Sequence, residues 1–232
     1  MKLIDSIKKD FSSTMTWVLI PVAIAINVVI GQIVSILKLP FYLDSIGTVL
    51  VGVLCGPWAG ALTGALSNTI WGFAIDPNAY PWWPVALFIG FVAGWCGIGG
   101  LFKSWWKVAI SGFLIAVVAA LVSAPVNIFW FGGITASGSS FITAWLLQSG
   151  QDMVKAVLTT NILVEPWDKI ATALLAYAIM EGLSVRYMAR FPRAENVQIE
   201  TGERRTQITV LVLVLGLLAL VVGFTIRKLM GG

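Results

Sequence analysis

The stretch DSIGTVLVGVLCGPWAGALTGALSN, residues 44–68, decides the fold of this chain. It contains two apolar segments separated by a Gly-Pro turn, with Asp44 at one outer end and Asn68 at the other. Three glycines recur at every fourth position: Gly56, Gly60 and Gly64. Residues with this spacing share one helical face, and glycine lets a neighbouring backbone approach closely. We therefore predict a hairpin of two apolar helices that places Asp44 and Asn68 on the same side of a membrane.

The composition of the whole chain indicates a membrane protein. Of its 232 residues, 58% are hydrophobic and 11% are charged, whereas soluble globular domains have roughly 25% charged residues. A helix needs about 20 apolar residues to cross a bilayer, and several stretches reach that length. We predict an all-α integral membrane protein, with a six-helix bundle and one extra C-terminal transmembrane helix.

Several classes of function are disfavoured by residues that the chain lacks. It has no histidine and only two cysteines, so histidine-based catalysis and most metal sites are excluded. No Gly-x4-Gly-Lys-Ser/Thr loop occurs, so the chain does not hydrolyse ATP by that route. The net charge of +4 is explained by membrane topology and does not indicate nucleic-acid binding. We predict no enzymatic activity, no cofactor, no metal site and no nucleic-acid partner.

The pattern of apolar runs and breakers divides the chain into four parts. Residues 1–14 form a charged interfacial segment, 15–192 a six-helix membrane domain, 193–205 a polar cytoplasmic linker, and 206–232 the extra helix. Within the domain the predicted helices cover about 15–37, 44–55, 58–75, 85–101, 108–131 and 169–188.

The segment 141–163 is harder to place because polar residues lie near its middle. Gln148, Gln151, Asp152 and Lys155 would be costly to expose to lipid. We interpret this segment as helical structure in the outer part of the protein, such as a re-entrant lid. The last helix of the domain, with its span at about 169–188, is then predicted to start in the preceding turn at Glu165, with Pro166 at or near its first helical position.

The distribution of lysine and arginine predicts the orientation of the bundle. A cytoplasmic N-terminus places most of the basic residues of the domain on the cytoplasmic side, as expected for membrane proteins. The extra helix fits less well, because it puts Arg227 and Lys228 outside. We predict a multi-pass protein of the prokaryotic cytoplasmic membrane, with Asp44, Asp76, Asp152, Glu165 and Asp168 on its outer side.

Three motifs resemble those of the substrate-binding (S) components of energy-coupling factor (ECF) vitamin transporters. The first is GPWAGALTG at residues 56–64. The second is a small-residue face, Ala116-x3-Ala120-x3-Ala124, followed by Pro-Val-Asn127, and the third is EPWDKIA at residues 165–171. The resemblance covers residues 15–192 and rests on the order and spacing of the three motifs together, because small-x3-small patterns alone are common in membrane helices.

This resemblance implies that the chain binds a vitamin from outside and docks on a membrane coupling protein, which sits on two cytoplasmic ATPases. In the family the docking face uses small residues of the first helix, for which the nearest matches here are Ala23, Asn27 and Gly31. Asn27 departs from the small-residue pattern. A polar amide within a span needs a protein partner, so Asn27 bonds either inside the bundle or across to a coupling subunit. Ordinary packing within the chain also explains Ala23 and Gly31.

Candidate ligand contacts come from polar and aromatic residues of the outer connections. They are Asp44, Asn68, Asp76, Tyr80, Trp83, Asn127, Gln151 and Glu165. Aromatic faces beside carboxylates favour a flat or cationic heterocycle, so a thiamine-like or pyrimidine-like ligand fits, and a cobalamin-like ligand stays open. The alternative function is a membrane scaffold or sensor subunit that acts through a partner. A self-sufficient secondary transporter is disfavoured because no internal repeat is visible.

Overall fold

A computed structural model describes residues 3–197, and within this range all regular secondary structure is helical. The predicted extra helix, residues 206–232, and most of the predicted linker lie outside the described residues. The helices are α1 Leu3–Asp10, α2 Thr14–Ile36, α3 Ile46–Cys55, α4 Pro57–Ala74, α5 Trp83–Ile98, α6 Trp105–Phe131, α7 Ser140–Gln148, α8 Met153–Gly182 and α9 Val185–Met188, with two 3-10 helices at Pro77–Trp82 and Ala194–Val197.

Three helical segments are long and apolar enough to cross a membrane: Thr14–Ile36, Pro77–Ile98 and Trp105–Phe131. Helices α4 and α8 pack against this set, and the α4–α5 and α6–α8 interfaces are the most extensive in the bundle. The structure therefore supports an all-helical membrane protein. The count of six spans stays a prediction.

The hairpin predicted from residues 44–68 forms, with α3 ending at Cys55 and α4 beginning at Pro57. Gly56 joins them with φ of +119°, a backbone conformation that favours glycine. Proline at the first position of α4 is well tolerated, because no N–H is needed there. All ten residues of α3 are buried, so this short helix forms the centre of the bundle.

Close helix contact in the core depends on the glycines of the hairpin. A Cβ atom on Gly90 of α5 would overlap the backbone carbonyl of Gly60 in α4, and a Cβ on Gly64 would overlap the carbonyl of Ala86. The small-residue face predicted from the sequence is therefore a backbone-to-backbone contact between α4 and α5.

The prediction that the last helix starts at Glu165 is wrong. Helix α8 is continuous over 30 residues, Met153–Gly182, and passes through Pro166. A proline removes one helical hydrogen bond, but the face of α8 on either side of it is buried from Ala156 to Met180. Packing on α6 therefore holds the two halves in one helix. At about 1.5 Å per residue, α8 is about 45 Å long and exceeds the bilayer core of about 30 Å.

The polar residues in the middle of 141–163 mark a boundary between two helices. Gln148 is the last residue of α7, Gln151 lies in the connection, and the Asp152 side chain caps α8 by accepting a hydrogen bond from the Lys155 amide. The helix boundary accounts for Asp152, whose side chain caps α8, whereas the buried Oε1 of Gln151 has no hydrogen-bond partner in the structure.

A buried ion pair joins both ends of the described chain to the α3–α4 turn. The Asp10 carboxylate, 0% exposed, accepts hydrogen bonds from Arg193 Nε at 3.0 Å and Nη2 at 2.7 Å. Its other oxygen accepts from the Trp58 amide at 3.0 Å, at the start of α4. A carboxylate at this position also interacts favourably with the helix dipole. Burial raises the pKa of Asp10, and the hydrogen bonds from Arg193 act in the opposite direction.

Candidate functional site

A cavity lies at the end of the bundle where α2, α4 and α6 end and α5 begins. It holds about 120 Å³ of space that the centre of a water molecule can reach, and it has an open mouth. Five of the predicted ligand contacts line it: Asp44, Asn68, Asp76, Asn127 and Glu165. The expectation that Asp44 and Asn68 share one side of the bundle is confirmed.

The other three predicted contacts do not line this cavity. Tyr80 packs against Phe73, with ring centroids 5.2 Å apart, Trp83 is 38% exposed, and Gln151 lies in the α7–α8 connection. Trp82 lines the cavity instead, and its ring stacks on Phe131 at 5.3 Å and 11°.

The 3-10 helix at Pro77–Trp82 explains why Trp82 replaces its neighbours. This helix has three residues per turn, so residues three apart share a face. Asp76, Ala79, Trp82 and Val85 are spaced by three and all line the cavity. Counting in steps of three from Asp76, the residue that caps this helix, reaches Trp82 and passes over Tyr80 and Trp83. This spacing is visible in the sequence and predicts that Trp82 lines the cavity.

The polar floor of the cavity is a cluster of charges around Lys169, a residue of the EPWDKIA motif that was not among the predicted ligand contacts. The ammonium forms an ion pair with Asp168 Oδ2 and lies 3.7 Å from Glu165 Oε2 and 4.0 Å from Asp44 Oδ1. The Lys169 side chain is 3% exposed. Glu165 and Lys169 are four residues apart on α8 and share a face.

Asp168 connects this cluster to the loop between α2 and α3. Its Oδ1 accepts hydrogen bonds from the backbone amides of Tyr42 at 2.8 Å and Leu43 at 2.9 Å. Leu43 has φ of +50°, a conformation that non-glycine residues rarely adopt without support. The two hydrogen bonds supply that support, so Asp168 positions both Lys169 and the loop that leads to Asp44.

Two loops meet to form one wall of the cavity. Lys38 Nζ donates to the Ala136 carbonyl at 2.7 Å, and the hydroxyls of Tyr42 and Ser139 are hydrogen bonded at 2.8 Å. A Cβ on Gly138 would overlap the carbonyl of Lys38. The α2–α3 and α6–α7 connections are therefore packed against each other at this end of the bundle.

Two acceptor atoms of the cavity wall have no hydrogen-bond partner in the structure: Asn127 Oδ1 and Glu165 Oε2. Their residues are only 7% and 3% exposed. By contrast, Asn161 in the same wall donates to Ser123 Oγ at 2.9 Å. A buried polar group without a partner costs about 1–3 kcal/mol, so these two oxygens are positions at which a ligand can donate hydrogen bonds.

Asn27, one of the predicted docking residues, is bonded inside the bundle. Its Oδ1 accepts from the Gly47 amide at 2.7 Å, and its Nδ2 donates to Thr48 Oγ1 at 2.8 Å and Ser67 Oγ at 2.9 Å. Asn27 is 1% exposed. Of the two expectations for this amide, the structure shows the internal one.

Ala23 and Gly31, like Asn27, face the interior of the bundle. Ala23 is fully buried, and a Cβ on Gly47 of α3 would overlap its backbone carbonyl. A Cβ on Gly31 would overlap the ring of Trp71 in α4. The small residues of α2 therefore pack this helix against α3 and α4, and the structure does not expose them to a partner. Their predicted docking role has no support here.

Among residues 3–197, no group of three or more cysteine, aspartate or glutamate side chains is arranged to hold a metal ion. The position between the carboxylates of the cavity floor is occupied by the Lys169 ammonium. No protein-family model, curated protein or solved structure matches this chain.

Proposed function

We propose that this protein is the substrate-binding component of an ECF-type importer for a vitamin or related micronutrient. The observation that carries the proposal is the cavity at one end of a membrane bundle, with two buried acceptors that have no protein partner, Asn127 Oδ1 and Glu165 Oε2. Ligand sites are typically concave and mostly apolar, with a few convergent polar groups. The motifs at residues 56–64 and 165–171 lie in helices that build this bundle.

The walls of the cavity support a heterocyclic ligand. Aromatic side chains line one part, among them Trp71, Trp82 and Phe131, and polar groups converge on the floor. The Trp71 ring is oriented by a hydrogen bond from its Nε1 to Gln32 Oε1 at 2.8 Å. A thiamine-like or pyrimidine-like molecule suits these walls better than a cobalamin-like one.

Energy for uphill import is assigned to separate subunits. The 232 residues contain no P-loop motif, so ATP would be hydrolysed by the two ATPases below a coupling protein. Because Ala23, Asn27 and Gly31 pack inward, contact with the coupling protein is assigned to a different surface of the bundle.

Native mass spectrometry of the detergent-purified protein, followed by denaturing extraction, tests ligand binding. We expect one vitamin-like molecule per protein. Asn127→Ala should weaken its binding at least tenfold, because the variant removes a buried acceptor of the wall. Tyr80→Ala is the matched control and should change affinity less than twofold, because Tyr80 does not line the cavity.

An empty protein that no vitamin stabilises against heat would refute the binding role and favour the scaffold or sensor function. The transport role has a separate test. The protein purified from native membranes should carry a coupling protein and two ATPases, and ligand accumulation in proteoliposomes containing all four should require ATP. Accumulation without ATP would refute the ECF assignment.

A further inference from the structure

We infer that the ligand of this cavity is an aromatic heterocycle that carries a positive charge and at least one N–H donor. The inference rests on the proposed function, because it assigns the chemical class of the ligand at the same site. Three observations support it: the charge of the cavity wall, the two open acceptors and the aromatic lining.

The cavity wall carries an excess of negative charge. Its charged members among the described residues are three acids, Asp44, Asp76 and Glu165, and one base, Lys169. Lys169 is already paired with Asp168, which is fully buried and does not line the cavity. The Lys169 ammonium is therefore shared with a carboxylate behind the cavity wall, and it is the only positively charged side chain among the described residues of the wall, which carries three acids.

Lys169 does not donate a hydrogen bond to either Glu165 or Asp44, the two nearby carboxylates that line the cavity. Its nitrogen is 3.7 Å from Glu165 Oε2 and 4.0 Å from Asp44 Oδ1, both beyond hydrogen-bond distance. Glu165 Oε2 accepts no hydrogen bond, and Asp44 Oδ1 accepts one from the adjacent Ser45 at 3.2 Å. Both carboxylates can therefore accept further hydrogen bonds from a ligand.

Two other ligand classes fit this floor poorly. An anion would have to approach an ammonium that three carboxylates already surround, and like charges at such distances repel strongly in a site shielded from water. A metal ion would need the position between the carboxylates that the ammonium occupies. An organic cation adds positive charge where it is missing, and its N–H groups complete the bonding of Glu165 and Asn127. The faces of Trp71 or Trp82 can attract the same charge through cation–π contact.

The test measures dissociation constants and thermal stabilisation of the full-length protein with probes sorted by charge. Thiamine and 1-methylnicotinamide are the cations, nicotinamide and riboflavin the neutral compounds, and nicotinate and biotin the anions. Two variants, Glu165→Gln and Asp44→Asn, each replace a carboxylate that lines the cavity with a neutral amide. The control is Asp152→Asn, which removes a negative charge at the cap of α8 outside the cavity wall and keeps a good capping residue.

We expect stabilisation by at least one cation and weaker or no stabilisation by compounds of other charge. Glu165→Gln or Asp44→Asn should raise the dissociation constant of that cation at least tenfold, and Asp152→Asn less than twofold. Tighter binding of a neutral or anionic compound, or cation binding that neither cavity variant weakens, would overturn the charge assignment and leave the proposed function standing. A protein that retains no molecule and responds to no probe would refute both.

Discussion

Replacing Asp10 with alanine removes the partner of a buried guanidinium. Arg193 is 4% exposed, and Asp10 accepts two hydrogen bonds from it and one from the Trp58 amide. Breaking a buried ion pair by removing one partner costs about 3–5 kcal/mol, because the remaining charge stays buried without compensation. In a chain of this size that corresponds to a fall in Tm of roughly 6–20 °C.

An exposed ion pair between the same two segments is the matched control. Lys9 Nζ is 2.8 Å from Glu195 Oε1, but the two side chains are 38% and 66% exposed. Exposed pairs contribute less than about 1 kcal/mol. Glu195→Gln should therefore change Tm only slightly. Tryptophan fluorescence during heating of the detergent-purified variants measures both effects.

A double variant separates the unpaired charge from the loss of the other contacts. Asp10→Ala combined with Arg193→Met leaves no buried charge, so it should recover at least half of the lost stability. Equal Tm values for Asp10→Ala and Glu195→Gln would refute the importance of burial. A double variant as unstable as Asp10→Ala alone would show that the guanidinium is not the source of the cost.

Three further variants test other parts of the structure. Gly90→Ala should lower the free energy of unfolding by about 1–3 kcal/mol, because the new methyl group overlaps a backbone carbonyl of α4. Gly182→Ala is the control, since no atom lies within 4 Å of its Cβ, and it should have no comparable effect in the same thermal assay. Asn27→Ala should cost at least about 2 kcal/mol, because it leaves three buried polar groups without their partner. Asp168→Ala should speed hydrogen exchange of the backbone amides at residues 42–43, and unchanged exchange would contradict its role in holding this loop.

Local sequence patterns correctly predicted those features that depend on residues close together in the sequence. The Gly-Pro turn predicted the α3–α4 hairpin, because the conformation at Gly56 and the proline after it are local requirements. The glycine spacing predicted a close backbone contact, although it did not identify α5 as the neighbour. The polarity of Asn27 predicted a hydrogen-bond partner in protein, although not whether that partner belongs to this chain, and the apolar runs predicted the membrane character.

The cavity floor could not be read from the sequence, because its members come together only when α3, α6 and α8 pack. The proline that follows Glu165 predicted the start of a helix there, but packing on α6 keeps α8 continuous through Pro166.

By itself, the sequence determined the helical class, the central hairpin and the placement of Asp44 and Asn68 at the same end of the bundle, since these follow from helix periodicity and the positions of breakers. Only the tertiary structure decided that the small residues of α2 face inward, that Trp82 lines the cavity, and that Lys169 lies among three carboxylates. The physical reason is that the partners of these residues are distant in sequence: Asp168 is 125 residues from the Leu43 amide that it binds. Periodicity places a residue on a face of its own helix, and only packing decides what that face contacts.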